Sequence, residues 1–143
     1  ECLSISNIVT DDIFFAFGSR ILKIDSYIKR KKFRHYSGRF VATIISNILK
    51  VPIYDTQCGC KIFSRDLARQ VFQERFISKW LFDVEIFFRI INLYSRKELQ
   101  NKSREIPLKS WIDSDNSKVK ITYFFKMWHD IYSINRKYNE QNQ

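Results

Sequence analysis

Four short stretches carry residues that packing alone does not require. The densest reads Asp55-Thr56-Gln57-Cys58-Gly59-Cys60-Lys61-Ile62-Phe63-Ser64-Arg65. It sets an acid, an amide, a glycine and a lysine within a few turn-forming positions. Gln57 brings both a donor and an acceptor, and Gly59 permits a tight turn close to a ligand. Further on, Trp80-Leu81-Phe82-Asp83-Val84-Glu85 places two acids at the head of an otherwise oily helix. Stabilising the helix dipole, worth about 0.3–1 kcal/mol each, is the plainer use of such acids. Their closeness to an apolar face gives at least Asp83 a substrate-facing role. Upstream, Gly18-Ser19-Arg20 follows a run of apolar residues. An arginine there can grip a phosphate through two parallel hydrogen bonds, a geometry lysine lacks. Downstream, Ser117-Lys118-Val119 offers a lysine able to neutralise a phosphate.

The elements that must position these residues alternate between strand and helix. Residues 13–17 (Ile-Phe-Phe-Ala-Phe) form a continuous apolar run ending at Gly18, the pattern of a buried strand. Ligands of α/β proteins gather at the carboxyl ends of such strands, where Ser19 and Arg20 fall. Residues 19–39 are polar and strongly basic, which predicts a loop plus a short helix. The apolar positions Phe40, Val41, Ile44, Ile45, Ile48 and Leu49 share one helical face, and Val51-Pro52 ends that helix. Residues 55–59 read as a turn and 61–63 as a short strand. Ser64 is an N-cap for a helix running to Gln73, with Leu67, Ala68, Val71 and Phe72 inward. A deeply packed helix is predicted over 82–94, a strand over 104–111 with Pro107 marking an edge or a strand start, a polar loop over 112–118, and a last helix over 119–138. The class is α/β.

The motifs, in this order, resemble the family 2 glycosyltransferases that load sugar onto a polyprenyl or dolichyl phosphate, the dolichyl-phosphate glucosyltransferase branch most of all. That family commonly reads Asp-Thr-Gln-Cys-Gly-Phe-Lys where this chain has residues 55–61, so Cys60 stands in place of a phenylalanine. It often has Trp-Ala-Phe-Asp-Val-Glu where residues 80–85 lie, and it carries a Gly-Ser-Arg at the place of Gly18-Ser19-Arg20. Glu105-Ile106-Pro107-Leu108 is similar to its closing strand. The resemblance implies a GT-A fold, of which residues 1–138 are the C-terminal, acceptor-side part of the catalytic domain, with 139–143 a polar tail. It implies an inverting transfer from a nucleotide-diphosphate sugar to the lipid monophosphate. Arg20 is then an acceptor-phosphate ligand. Arg34 is the match for a second phosphate-binding arginine, with Arg30 and Arg39 as alternatives, and Lys118 is a third cation. Asp55 and Gln57 take catalytic places around the sugar and reacting centre, while Ser19, Gly59, Lys61 and Asp83 face substrate. The family's divalent cation, magnesium or manganese, belongs to an Asp-x-Asp in its first half. Asp113-Ser114-Asp115 has those letters but the wrong order in the chain, so no metal ligand is assigned in this segment.

Composition narrows the alternatives. The chain has 143 residues, enough for one domain, and its net charge of +10 points to an anionic partner. Phosphorylated substrates and a membrane surface both qualify; basic residues near an anionic surface contribute about 1 kcal/mol each. The last helix mixes Tyr123, Phe124, Trp128 and Tyr132 with Lys120, Lys126, Arg136 and Lys137, a pattern open to core packing or to a membrane-resting helix. A nucleic-acid module is disfavoured, because the aromatics lie on predicted buried faces rather than beside arginines. A non-catalytic relative that binds lipid or a partner is the other reading. Three cysteines are too few for a disulfide scaffold, and one residue between Cys58 and Cys60 is not zinc-site spacing. The expected setting is the reducing cytoplasm, peripheral to a membrane or as part of a membrane-anchored protein.

Overall fold

The computed structural model describes residues 7–29, 32–112 and 122–140. Its centre is β1 (Phe15–Ser19), five residues that are all buried. Side chains of a strand alternate between faces, and β1 uses both. Phe15 and Phe17 enter the main core, where each meets the ring of Phe87 edge-on at 5.4 and 5.2 Å. Ala16 enters a second, smaller cluster with Cys58, Cys60 and Leu108.

The residues between 19 and 39 hold more structure than their charge suggests. A short strand β2 (Tyr27–Lys29) interrupts the loop, and the following helix α1 (Lys32–Leu49) begins well before Phe40. Val41, Ala42, Ile45 and Leu49 form its buried face. The helix stops at Lys50, which takes the left-handed conformation (φ 55°). Arg96 donates from Nε to the carbonyl of Leu49 at 2.9 Å, satisfying a group the helix end leaves open.

Past the elbow of residues 55–60, β3 (Lys61–Phe63) pairs antiparallel with β1, Phe17 facing Lys61. Ser64 caps α2 (Arg65–Val71) as expected, its Oγ accepting from the Leu67 N–H. This helix ends at Val71 rather than Gln73, and Phe72 is half-exposed rather than inward. There Arg89 of α3 (Phe82–Leu93) caps the chain, its guanidinium taking the carbonyls of Val71, Glu74 and Arg75 at 2.6, 2.9 and 2.9 Å. These bonds satisfy carbonyls that the end of α2 leaves open.

A helix not foreseen, α4 (Arg96–Lys102), follows, with Ser95 as N-cap accepting from the Glu98 N–H. The expected strand over 104–111 is two strands. β4 (Ser103–Pro107) lies parallel to β1, with Phe17 beside Glu105 and Ser19 beside Pro107. β5 (Ser110–Ile112) leaves that sheet and pairs in parallel with β2, Ile28 beside Trp111. The break falls where proline has no N–H to continue the ladder; the next amide, Leu108 N–H, closes back on the Ser19 carbonyl at 2.9 Å. The last helix, α5 (Thr122–Glu140), runs two residues past the expected boundary at 138. Ile131, Ile134 and Tyr138 bury against the main core. The described residues thus form a mixed α/β unit with sheet order β3-β1-β4 beside a two-stranded ribbon β2-β5.

Candidate anion-handling site at the end of β1

The carboxyl ends of β1 and β4 lie side by side, and the elbow of residues 55–60 closes over them. The close approach depends on Gly18. A Cβ there would stand 2.9 Å from Leu108 Cδ2, 3.1 Å from Cys58 Sγ and 3.2 Å from Cys60 Cβ. A side chain there would push on the elbow, and the Gly18 N–H donates to the Cys60 carbonyl at 2.8 Å.

Arg20 is the first residue after β1. Its Nε and Nη2 donate to Asp55 Oδ2 and Oδ1 at 2.7 and 2.8 Å, and its backbone N–H reaches Oδ2 at 3.2 Å. This is the two-pronged arginine–carboxylate geometry, and both side chains are largely buried. The guanidinium also lies 5.4 Å from the centre of the Trp111 ring. Asp55 is held from below as well. Its Oδ1 accepts the Gln57 N–H at 3.2 Å, an Asx turn. Its own N–H, with that of Tyr54, donates to the carboxylate of Glu105 on β4 at 2.8 and 2.9 Å.

A second ion pair flanks the elbow. Lys61 Nζ contacts Asp83 Oδ1 at 2.8 Å and donates to the Cys58 carbonyl at 2.6 Å. Both side chains are mostly buried. The two residues expected to face a substrate therefore face each other, tying the elbow to the start of α3. Burial pushes the Cys58 thiol up, opposed in part by its hydrogen bond with the Cys60 backbone; a thiol so placed is a poor nucleophile.

The other expected residues fare differently. Ser19 is fully buried and its Oγ makes no hydrogen bond, as is true of Thr56 Oγ1. Gln57 is half-buried within the elbow. Gly59 does not have the left-handed backbone that would demand glycine, and an added Cβ would meet nothing within 4 Å. The turn-forming reason for glycine at 59 is thus corrected: the need lies at Gly18. Arg34 falls in the first turn of α1, but its side chain, like Lys118 and Asp113-Ser114-Asp115, lies outside the described residues. Arg39, an alternative to Arg34, is committed elsewhere. Its guanidinium lies over the Tyr54 ring, 3.4 Å from the centre, and donates to the Tyr54 carbonyl at 2.8 Å.

Glu85, the partner of Asp83 in the sequence motif, is wholly buried away from the elbow. It accepts from Arg89 Nη2, from the Tyr138 hydroxyl and from the Ile77 N–H at 2.9, 2.9 and 2.8 Å. Burial works against the charge of Arg89, but its bonds to Glu85 and Tyr138 outweigh that and push its pKa up. The Tyr138 phenol is pushed up to about 12, by burial first and then by its bond to Glu85. This network is structural. Among the described residues, no three His, Cys, Asp or Glu side chains converge to hold a metal ion. The divalent cation that the resemblance implies therefore finds no fitting donor set among the described residues.

Sequence reasoning missed Glu105 and Trp111. One signal for Glu105 was present: an acid between apolar neighbours in a strand, whose charge requires partners. Nothing in the sequence marks Trp111 as the ring beside Arg20.

A mostly buried arginine–carboxylate pair thus sits at the mouth of a parallel strand pair, and comparison with known proteins gives the chain its class. The chain is 31% identical over 131 residues to a dolichyl-phosphate beta-glucosyltransferase of Dictyostelium discoideum, covering 90% of this chain and 38% of that protein. It is 33% identical over 126 residues to the Saccharomyces cerevisiae protein of the same name, covering 86% and 36%. With the human one it shares 30% over 125 residues, covering 86% and 36%. The chain is thus a relative of the dolichyl-phosphate beta-glucosyltransferases over most of its own length, and spans well under half of theirs. No family model matches the chain, and no solved structure does.

Proposed function

We propose that this chain is the acceptor-side part of a GT-A family 2 glycosyltransferase domain, one that moves a sugar from a nucleotide-diphosphate sugar to dolichyl or another polyprenyl phosphate. The observation that carries the reading is the Arg20–Asp55 pair, fixed by Glu105 at the end of β1. Agreement with the dolichyl-phosphate beta-glucosyltransferases along 90% of the chain supports it.

The chemistry suits such a site. A lipid monophosphate is already ionised near neutral pH, so it needs little help from a general base. What it needs is orientation and charge compensation, which a preorganised guanidinium supplies. Asp55 holds the fork of Arg20 in one plane, and the phosphate competes with or joins Asp55 for that cation. Arg34 and Lys118 add positive charge as the lipid head arrives. Gln57 and Gly59 line the approach to the sugar, with Ser19 buried at the end of β1, and the Lys61–Asp83 pair keeps the elbow seated while the groups react. Attack by the phosphate oxygen on the anomeric carbon from the side opposite the leaving diphosphate inverts that centre. The acceptor is membrane-borne, so the segment works from the cytoplasmic side against a membrane surface. Among the described residues no helix is long and apolar enough to cross a membrane.

A chimaera tests the proposal. This chain replaces the matching segment of the yeast relative, and transfer of sugar to dolichyl phosphate is assayed. Activity that is retained, and that falls at least about 100-fold with Arg20→Ala, a loss of about 2.7 kcal/mol in transition-state stabilisation, supports the reading. An Arg20→Ala chimaera as active as its parent overturns the phosphate assignment.

A further inference from the structure

The β2–β5 ribbon carries an apolar surface that the fold does not explain. Its two faces differ. Ile28 and Trp111, paired in register, turn inward, and Trp111 packs on the small cluster of Ala16, Cys58, Cys60 and Leu108. On the outer side Tyr27 and Ile112 are 62% and 66% exposed. The turn that leads into β2 adds Leu22, 66% exposed, and Ile24, which is fully exposed. Single exposed apolar residues are ordinary; four within a small ribbon and the turn leading into it are not.

This apex is built rather than loose. Ser26 Oγ accepts the Lys23 N–H at 2.7 Å and donates to the Lys23 carbonyl at 2.9 Å, and the Ser26 N–H reaches the same carbonyl at 3.1 Å. The Tyr27 N–H then ties the turn to the Lys109 carbonyl at 2.7 Å. Four hydrogen bonds hold an isoleucine out in solvent.

We infer that the outer face of this ribbon, with Leu22, Ile24, Tyr27 and Ile112 as its apolar contacts, seats on an anionic lipid bilayer. Charge favours lipid over an apolar protein partner. Exposed Lys23 and Lys109 flank the apolar residues, Asp25 being the acid at the apex, and the sequence runs on through Lys29, Arg30, Lys31 and Lys32. Apolar side chains entering the interface beside lysines that meet anionic headgroups are the two signals that peripheral binding needs. The inference deepens the acceptor-side reading, and rests on it for its purpose. With the outer face on the membrane, Arg20, beside Trp111 on the inner side, lies one strand layer from the lipid headgroups.

The contact is measured without sugar or lipid carrier, so its failure is separable from failure of the phosphate assignment. The full chain is sedimented with sucrose-loaded vesicles of phosphatidylcholine and phosphatidylserine, about three to one, and with vesicles of phosphatidylcholine alone. Binding to the anionic vesicles is expected, with a loss of about 10-fold or more in partitioning for Leu22→Asp/Ile24→Asp. Circular dichroism checks that this variant folds. Ile24→Trp keeps the apolar contact, and is expected to bind like the parent with a blue-shifted emission on anionic vesicles. The inference is overturned if the parent ignores anionic vesicles, or if the double aspartate variant binds them as the parent does. It is equally overturned if the parent self-associates through Ile24 in the ultracentrifuge without binding lipid, which would make the face a protein interface. Loss of polyprenyl-phosphate binding in Arg20→Ala with vesicle binding intact would leave this inference standing.

Discussion

Removing the carboxylate of Glu105 should loosen the elbow from below, and the size of the effect can be worked from its bonds. Glu105 accepts two backbone N–H groups from across the fold, at 2.8 and 2.9 Å. A hydrogen bond to a charged group is worth about 1.5–3 kcal/mol, and partial burial of these places them near the lower end. Glu105→Ala orphans both amides and is expected to cost about 3 kcal/mol. Glu105→Gln keeps one acceptor oxygen but sets an amide NH2 against the second N–H, for about 1.5–2 kcal/mol. At roughly 2–4 °C per kcal/mol for a chain of this size, Tm falls by about 6–12 °C and about 3–8 °C respectively. Differential scanning calorimetry gives these shifts. Hydrogen exchange supplies the local readout, since protection at the Tyr54 and Asp55 amides should drop more than elsewhere. Glu105→Gln and Asp55→Asn should also combine less than additively, because both act on one elbow. A Glu105→Ala protein with unchanged Tm and unchanged protection at those two amides would refute the reasoning.

Other outcomes follow from the same geometry. Arg20→Lys keeps the charge but loses the fork, so polyprenyl-phosphate binding measured by calorimetric titration should weaken by about 10-fold. Lys61→Met strands the carboxylate of Asp83 in a mostly buried place, and urea unfolding should show a loss of about 3 kcal/mol; Lys61→Met/Asp83→Leu should recover much of it. Gly18→Ala puts a methyl 2.9 Å from Leu108 Cδ2 and is expected to cost about 1–3 kcal/mol by the same assay. The Tyr138 phenol, raised to about 12 in the folded protein, gives stability that is fully present below the unfolded value of about 10 and lost as pH rises through 12. Thermal melts between those values should fall for the parent and stay flatter for Tyr138→Phe.

Much of the fold was legible where one physical demand acted alone. The apolar run at residues 13–17 marked a buried strand, although β1 runs from Phe15 to Ser19 and so starts and ends two residues later, and Ser64 had to cap a helix, because nothing else used it. Legibility failed where a distant group intervened. The end of α2 is met by Arg89, eighteen residues beyond Val71, whose guanidinium caps its carbonyl. The strand over 104–111 broke because its second half found a partner in β2, a strand hidden inside a basic stretch that charge alone marks as loop. Helix α4 was announced by Ser95 and Glu98, spaced as a capping box, a signal left unused. At the site, Arg20 and Asp55, read separately as a phosphate ligand and a sugar contact, turn out to be paired with each other. Pairing was the part sequence could not supply. Lys61 and Asp83 each read as substrate-facing because a side chain's partner across twenty-two positions is invisible in one dimension.

The stretch between α2 and α3 offers a last consequence. It has no regular secondary structure, and it displays Arg75 and Lys79 on the surface, which makes it an obvious target for trypsin. Yet Arg89 and Glu85 rivet its backbone from beneath at residues 74, 75 and 77. A protease needs several residues drawn out of the native surface before it can cut, and drawing these out means stripping a buried ion pair of its partners. Digestion there should therefore track unfolding of the core rather than breathing of a loop. Arg89→Met would turn the same sequence into the first place the chain is nicked.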